Sequence, residues 1–194
     1  MARRNEHSLD EIKAMVLDAA ETIVIDKGYS ALTVRRIAQQ IGYTVASIYM
    51  VFDNMTELAW HLKARTLDDL AAQLRRLPAC EPTQQITELA QAYVQFARDN
   101  FNRWRMLCGQ DNRSPGWYRD KTGQISALVE AQFALLSPNR PAVEYQLAAK
   151  ALWSGVHGIC ALTLTGDEDA AGDAEQAVLL LVENFIEGWR RRMA

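Results

Sequence analysis

Cysteine is scarce in this chain: Cys80, Cys108 and Cys160 are three in all, far apart and odd in number. No disulfide framework is indicated, and a reducing, intracellular setting is expected. Proline is nearly as rare, with five in 194 residues, most of them between apolar-periodic stretches rather than inside them. So few helix breakers lean the reading towards helix. Long hydrophobic runs are missing as well. The most apolar windows, residues 158–164 and 177–182, fall far short of the roughly 20 residues a bilayer span requires. The opening Met1-Ala2-Arg3-Arg4-Asn5-Glu6 leads into an amphipathic stretch rather than the apolar core of a signal peptide. A soluble, cytoplasmic protein with no membrane partner is the expectation. An excess of positive charge is also lacking, since 21 Lys and Arg face 24 Asp and Glu for a net charge of −3. That balance does not announce nucleic-acid binding. It does not exclude it either, because placement of charge matters more than its sum.

Chemistry-bearing constellations are equally thin. His7, His61, His157 and the cysteines show no metal-ligand spacing. Cys108 or Cys160 with His157 would make a nucleophile and base, but no orienting acid or oxyanion motif accompanies them. Cys108 beside Met106 could be a redox sensor, although a buried inert thiol is the plainer reading. No metal, no cofactor and no enzymatic activity are expected.

What is present is a hydrophobic fraction of 49% arranged with helical period. Ser8-Leu9-Asp10-Glu11 is a capping box, followed by Ile12, Val16, Ala19, Ala20 and Ile23 on one face and stopped by Gly28. Thr33 caps a second helix with Val34, Ile37, Ala38 and Ile41 inward, stopped by Gly42. Thr44 caps a third, running to Phe52, with Ile48, Tyr49 and Phe52 at the inward spacing. Asn54-Met55-Thr56-Glu57 opens a long fourth helix through Leu77, stopped by Pro78. Pro82 starts a fifth that runs towards Trp104, and residues 109–116 are a loop. Further helices are expected over Trp117–Leu136, Ala142–Leu164 and Asp173–Arg191, with no convincing strand. The fold class is therefore all-α, with about nine helices. A division into a first domain over residues 1–54 and a second over 55–194 is expected.

The first three helices, with the turn Gly42-Tyr43-Thr44 between the second and third, fit a helix-turn-helix. A helical hairpin in an ordinary bundle fits the same pattern equally well. A reading helix has to enter a major groove about 12 Å wide, so its outer face must be slim and its inner face firmly anchored. Val45, Ala46 and Ser47 are slim; Ile48 and Phe52 can anchor.

At these residues the chain resembles the tetracycline-repressor (TetR) family of transcriptional regulators. The resemblance covers about Ser8 to Leu62. It comprises A-x-x-x-x-x-x-x-G-Y-x-x-x-T-V-R-x-I-A from Ala20 to Ala38, I-G-Y-T-V-A-S-I-Y-x-x-F from Ile41 to Phe52, and T-E-L from Thr56 to Leu58. Farther on, Trp153-Ser154-Gly155-Val156-His157-Gly158 looks like the Trp-x-x-x-His-Gly signature of a C-terminal domain found in some members. The resemblance implies that Thr33, Thr44 and Tyr49 touch DNA phosphates, which position a protein without reading sequence. It implies that Val45, Ala46 and Ser47 read bases, that Arg35 reaches phosphate or a base edge, and that Arg3 and Arg4 form an arm able to enter a minor groove. Two positions depart from the family pattern: Met55 stands where a lysine is usual, and Val51 where histidine or an aromatic is common. With no Arg, Lys, Asn or Gln on the start of the third helix, readout should rest on apolar contact with thymine methyls, a serine hydroxyl, Arg35 and DNA shape.

The resemblance also implies that residues 1–54 are a helix-turn-helix DNA-binding domain and 55–194 a helical ligand-binding and dimerisation domain with an effector cavity, for which the aromatic-rich middle supplies candidates: Tyr93, Phe96, Trp104, Trp117, Phe133, Trp153 and His157. Read one by one, these are more plainly core residues. His157 would hydrogen-bond either an effector or a neighbouring helix, and packing is the simpler reading. Small residues at Ala148, Ala151, Gly155 and Gly158, and a last helix apolar over much of its circumference, suit a homodimer through the last two helices. Burial within one subunit is the plain alternative. The function expected is that of a repressor on double-stranded operator DNA, released by an unknown small-molecule effector that displaces the fourth helix. The rival reading is a helical ligand-binding or interaction module without DNA binding.

Overall fold

The structure, a computed structural model, describes residues 7–109, 114–164 and 169–191. Among the described residues the regular structure is entirely helical, in nine α-helices and two short 3-10 turns. They are α1 (Leu9–Lys27), α2 (Val34–Ile41), α3 (Val45–Tyr49), α4 (Met55–Arg75), α5 (Pro82–Asp99), α6 (Phe101–Arg105), α7 (Gly116–Leu136), α8 (Ala142–Thr163) and α9 (Asp169–Arg191). No helix among the described residues is long and apolar enough to cross a membrane.

Two compact units divide the chain. The first runs to Thr66 and takes in a later segment from Asn102; the second comprises Leu67–Phe101 and the chain from Pro115. Helix α4 is covalently common to both.

Each early helix begins where its cap residue can satisfy orphan amides. Ser8 and Glu11 complete the capping box on α1, Thr33 Oγ1 accepts from the Arg36 amide at 3.3 Å, and Thr44 Oγ1 accepts from the Ser47 amide at 3.2 Å. At α4, Asn54 Oδ1 accepts from the Glu57 amide at 2.9 Å while Glu57 Oε2 accepts from the Asp53 amide at 2.6 Å. The first unit's core is built from Ile12, Val16, Ala20 and Ile23 of α1, Ile37 of α2, Ile48 of α3, Phe52, and Leu58 and Leu62 of α4. An ionic chain laces its surface. Arg65 reaches Asp18 at 2.6 Å and Glu21 at 3.1 Å, and Glu21 also holds Arg103 at 2.6 Å.

Gly42 closes α2 with φ 72° and ψ 24°, the left-handed conformation that costs an ordinary L-residue about 1–2 kcal/mol. A Cβ there would meet nothing within 4 Å, so the cost of a side chain is purely conformational. Gly42→Ala is expected to destabilise the first unit by about 1 kcal/mol and Gly42→Asn by less, read as urea unfolding midpoints. Equal midpoints for Gly42→Ala and the parent chain would contradict this.

In the second unit, α5 packs on α7, α8 and α9, and α8 lies between α7 and α9. Its interior holds Leu70, Leu74, Ile86, Tyr93, Ile125, Val129, Phe133, Leu152, Val156, Val182 and Trp189. The α8–α9 crossing is tight at Gly155, where a Cβ would stand 2.6 Å from Leu181 Cδ2. At the far end, Trp189 Nε1 donates to the buried Ser137 hydroxyl at 2.9 Å, and the Arg140 guanidinium lies 4.3 Å over the Trp189 ring. This corner fastens the end of α9 to the α7–α8 turn.

The structure departs from the sequence expectation at several boundaries, the fourth helix for one ending at Arg75 rather than Leu77. The third helix spans only Val45–Tyr49, because the chain has to turn through Met50 and Val51 before the α4 cap begins at Asp53 and Asn54. The fifth is broken at Asn100 (φ −119°, ψ 33°), so Trp104 sits on the separate α6. The last begins at Asp169 rather than Asp173.

Candidate nucleic-acid interface and interior site

The helix-turn-helix geometry follows from two turns. The left-handed Gly42 sends the chain away from α2, and the Tyr43 amide bonds back to the Ala38 carbonyl at 3.0 Å. Thr44 then starts α3, whose inner side is anchored by Ile48 at 1% exposure and by the following Phe52 at 2%. Behind Phe52, Lys13 Nζ lies 5.1 Å over its ring and the His61 ring packs edge-on at 5.6 Å. The opposite side of α3 is open.

On that side the residues fall as follows. Thr44, Ala46 and Tyr49 are exposed, while Val45 and Ser47 are half-buried. Tyr49, placed at the inward spacing by sequence, is turned outward with 48% of its surface exposed. Its ring is available to a partner, and the core behind it is closed by Ile48 instead. The Thr44 and Ser47 hydroxyls bond one another at 2.9 Å, so both are positioned before any partner arrives. Thr33 and Arg35 are exposed at the start of α2, and the neighbouring Arg36 spends one guanidinium nitrogen on the Ala31 carbonyl at 2.8 Å. Arg3 and Arg4 lie outside the described residues. At the start of the described residues, His7 Nδ1 lies 2.7 Å from the Tyr43 hydroxyl in the turn.

Sequence reasoning missed three exposed residues here. Met50, 61% exposed at the end of α3, adds an apolar contact next to Tyr49. Gln39 and Gln40 on α2 are exposed amides, a residue type able to pair bidentately with adenine. Their outward position was legible, since Ile37, Ala38 and Ile41 claim the inward side of a helix of 8 residues.

Arg35→Ala is expected to relax sequence preference among DNA fragments while lowering affinity for all of them, if the exposed Arg35 at the start of α2 reaches a base edge as well as phosphate. Unchanged selectivity in a binding titration would count against that role.

The interior candidates divide between different places. Tyr93 of α5 meets Trp153 of α8 edge-on, with ring centroids 4.6 Å apart, and its hydroxyl lies 2.5 Å from His157 Nδ1. His157 therefore bonds a neighbouring helix. Phe96 is buried farther along α5. Phe133 belongs to another cluster, with Phe185 at 5.8 Å and Trp189 at 5.0 Å. Trp117 is 40% exposed at the start of α7, and Trp104 is buried in the first unit. Beside Tyr93 and Trp153 is a small cavity of about 20 Å³ lined also by Leu74, Ile86, Leu89, Ala90, Val129, Leu152 and Val156.

Burial pushes the His157 imidazole below its ordinary pKa, and burial, then Lys13, does the same to His61. A depressed folded-state pKa means the unfolded chain binds the proton more readily. The stability is full above about pH 6.5 and is lost as pH falls through the lower folded values. Melting temperature should fall more steeply below pH 6.5 in the parent chain than in His157→Gln; parallel curves would refute this.

On the outer side of α8 and α9 runs an open groove of about 560 Å³, lined by Glu144, Leu147, Ala148, Ala151, Asn184, Phe185, Gly188 and Trp189. Leu147, Leu162 and Leu180 stand 61%, 86% and 62% exposed on the same two helices. Of the small residues, Gly155 serves the contact with α9 of the same chain, whereas a Cβ on Gly158 would meet nothing within 4 Å.

Residues 16–61 match the family described as bacterial regulatory proteins of the tetR family, and residues 86–185 match the tetracyclin repressor-like C-terminal domain. An uncharacterised helix-turn-helix-type transcriptional regulator of Mycobacterium tuberculosis, Rv0681, is 26% identical over 182 residues, 91% of this chain and 81% of that protein. Among solved structures, a protein of unknown function from Rhodococcus sp. RHA1 superposes with a TM-score of 0.73 at 20% identity, covering 97% of this chain and 98% of that one. BioQ, solved with its natural double-stranded DNA operator, superposes with a TM-score of 0.66 at 19% identity, covering 89% and 96%. At such identities the superpositions speak for the fold, while the two family matches cover α3 in the first unit and most of the second unit. This chain belongs to the tetracycline-repressor-like family of bacterial transcriptional regulators.

Proposed function

We propose that the protein is a cytoplasmic repressor that binds a palindromic operator as a homodimer and is released from it by a small molecule held in its second unit. The observation carrying this reading is the slim, open side of α3, with Ala46 and Tyr49 outward and Ile48 and Phe52 fixed behind. In this reading Thr33, Thr44 and Tyr49 hold phosphates, Val45, Ala46 and Ser47 meet base edges, and Arg3, Arg4 and Arg35 supply charge. Two-fold symmetry comes from α8 and α9, whose exposed leucines and groove suit a second copy of the same two helices. The Trp153-x-x-x-His157-Gly158 run is assigned to the C-terminal domain type that carries this signature. Its Trp and His earn their places by packing on Tyr93.

Effector action requires unequal affinity for two states. A ligand between α5, α7 and α8 would displace Leu74 at the end of α4, the helix that continues to the reading head.

The test is a titration of the purified chain against DNA from its own upstream region at increasing salt. A regulator gives an affinity that falls linearly in log–log form with a slope set by the phosphates it neutralises. No binding, or a salt-independent weak signal, would favour the module without DNA binding, a reading that Met55 and the net charge of −3 support.

A further inference from the structure

We infer that Met50 is a base-reading residue of the α3 tip, touching the C5-methyl groups of thymines in the major groove with Ala46 on the same face; this rests on the operator-binding reading above. Met50 is 61% exposed, and it belongs neither to the first unit's core nor to the half-buried apolar residues packed against that core. Its backbone still follows the helix, with φ −74° and ψ −22°, and its amide donates to the Ala46 carbonyl at 3.2 Å. Ala46 and Met50 are therefore one turn apart on one side of α3, both exposed, with the exposed Tyr49 adjacent.

The chemistry of that side leaves few other ways to read a base. No charged side chain occurs from Thr44 to Phe52. The two hydroxyls of the first turn are partly spent on each other: Thr44 Oγ1 and Ser47 Oγ lie 2.9 Å apart, and Thr44 Oγ1 also accepts from the Ser47 amide at 3.2 Å. In the major groove thymine is the standard base that presents an apolar group, its C5-methyl. An alanine methyl and a methionine side chain gain little from a donor or acceptor edge, but they gain by covering that methyl. Methionine is unbranched and polarizable, so its end can follow the methyl as the neighbouring steps vary. Thymines beneath Ala46 and Met50 then decide which duplexes bind well, whereas phosphate contacts hold all of them alike.

The full parent chain is used to enrich bound duplexes from a random pool, and one enriched duplex is then made twice, with thymine or with uracil at every T position. Uracil keeps the O4 acceptor and the base pairing and deletes only the methyl. One buried methyl contact is worth about 4-fold in affinity, so a two-fold symmetric site should bind about 10-fold more tightly in its thymine form. Met50→Ala and Met50→Gln should each bring that ratio below about 3-fold, while Met50→Leu, which keeps the hydrocarbon, preserves it. Circular dichroism checks that the exposed position tolerates all three. Equal affinity for the two duplexes overturns the inference. So does a ratio that survives undiminished in a folded Met50→Ala, because the methyl effect would then act through groove shape instead. If no duplex is enriched, the regulator reading falls as well; if one is enriched but bound alike in both forms, the methyl reading falls alone.

Discussion

An Ile48→Asp variant is expected to lose DNA binding completely while retaining most of its helix content. Ile48 is 1% exposed and sits with Ile37, Phe52, Leu58 and the α1 residues Val16 and Ala20 in the first unit's core. A carboxylate there has neither water nor a cation, and the penalty is on the order of 4 kcal/mol, a large share of a small core's stability. Helix α3 has only 5 residues and cannot persist without that anchor. The second unit has its own interior around Tyr93, Val129, Phe133 and Trp189 and should stay folded. Anisotropy with a labelled DNA fragment measures the first consequence and circular dichroism the second. Wild-type affinity in this variant would mean that α3 is not the element that meets DNA.

The second large effect is expected from Leu147→Glu combined with Leu180→Glu. Both side chains are more than half exposed, on α8 and α9 respectively, so charge costs the isolated fold little. On the proposed dimer each would bury a glutamate against its symmetry mate. Sedimentation should show a monomer where the parent is a dimer. Operator affinity should fall by roughly 100-fold or more, because the second half-site is then bound as an independent event. A parent chain that is already monomeric, or a double variant that remains a dimer, would remove α8 and α9 from the interface.

Much of the first unit could be read directly from the sequence, because its instructions are local. Ser8 and Glu11, Thr33, and Thr44 lie within three or four residues of the amides they cap, and Gly28 and Gly42 take their positive φ angles where the helices stop. Tyr49 shows the limit of that kind of reading. Its spacing from Phe52 suited the inner face, but a helix ending at Tyr49 leaves no further turn to carry the stripe, and Ile48 fills the place. The interior site was less legible for a different reason. Periodicity says which side of a helix is buried, not which helix covers it. Phe133 and Trp153 look alike in the sequence, yet one packs on Trp189 and the other on Tyr93. Trp104 parted from Tyr93 because the chain breaks at Asn100, a residue whose side chain folds back to the Phe96 carbonyl at 3.2 Å. Nothing in the spacing of the aromatics marked that break.

The tight crossing at Gly155 has an evolutionary corollary. With Leu181 Cδ2 only 2.6 Å from where a methyl at 155 would stand, an alanine there forces Leu181 into another rotamer, and a bulkier residue leaves it no room. The two positions are then inherited as a couple. Lineages that gain volume at 155 should shed it at 181, and a Gly155→Ala, Leu181→Val chain should sit closer to its ancestor in stability than the sum of its two steps.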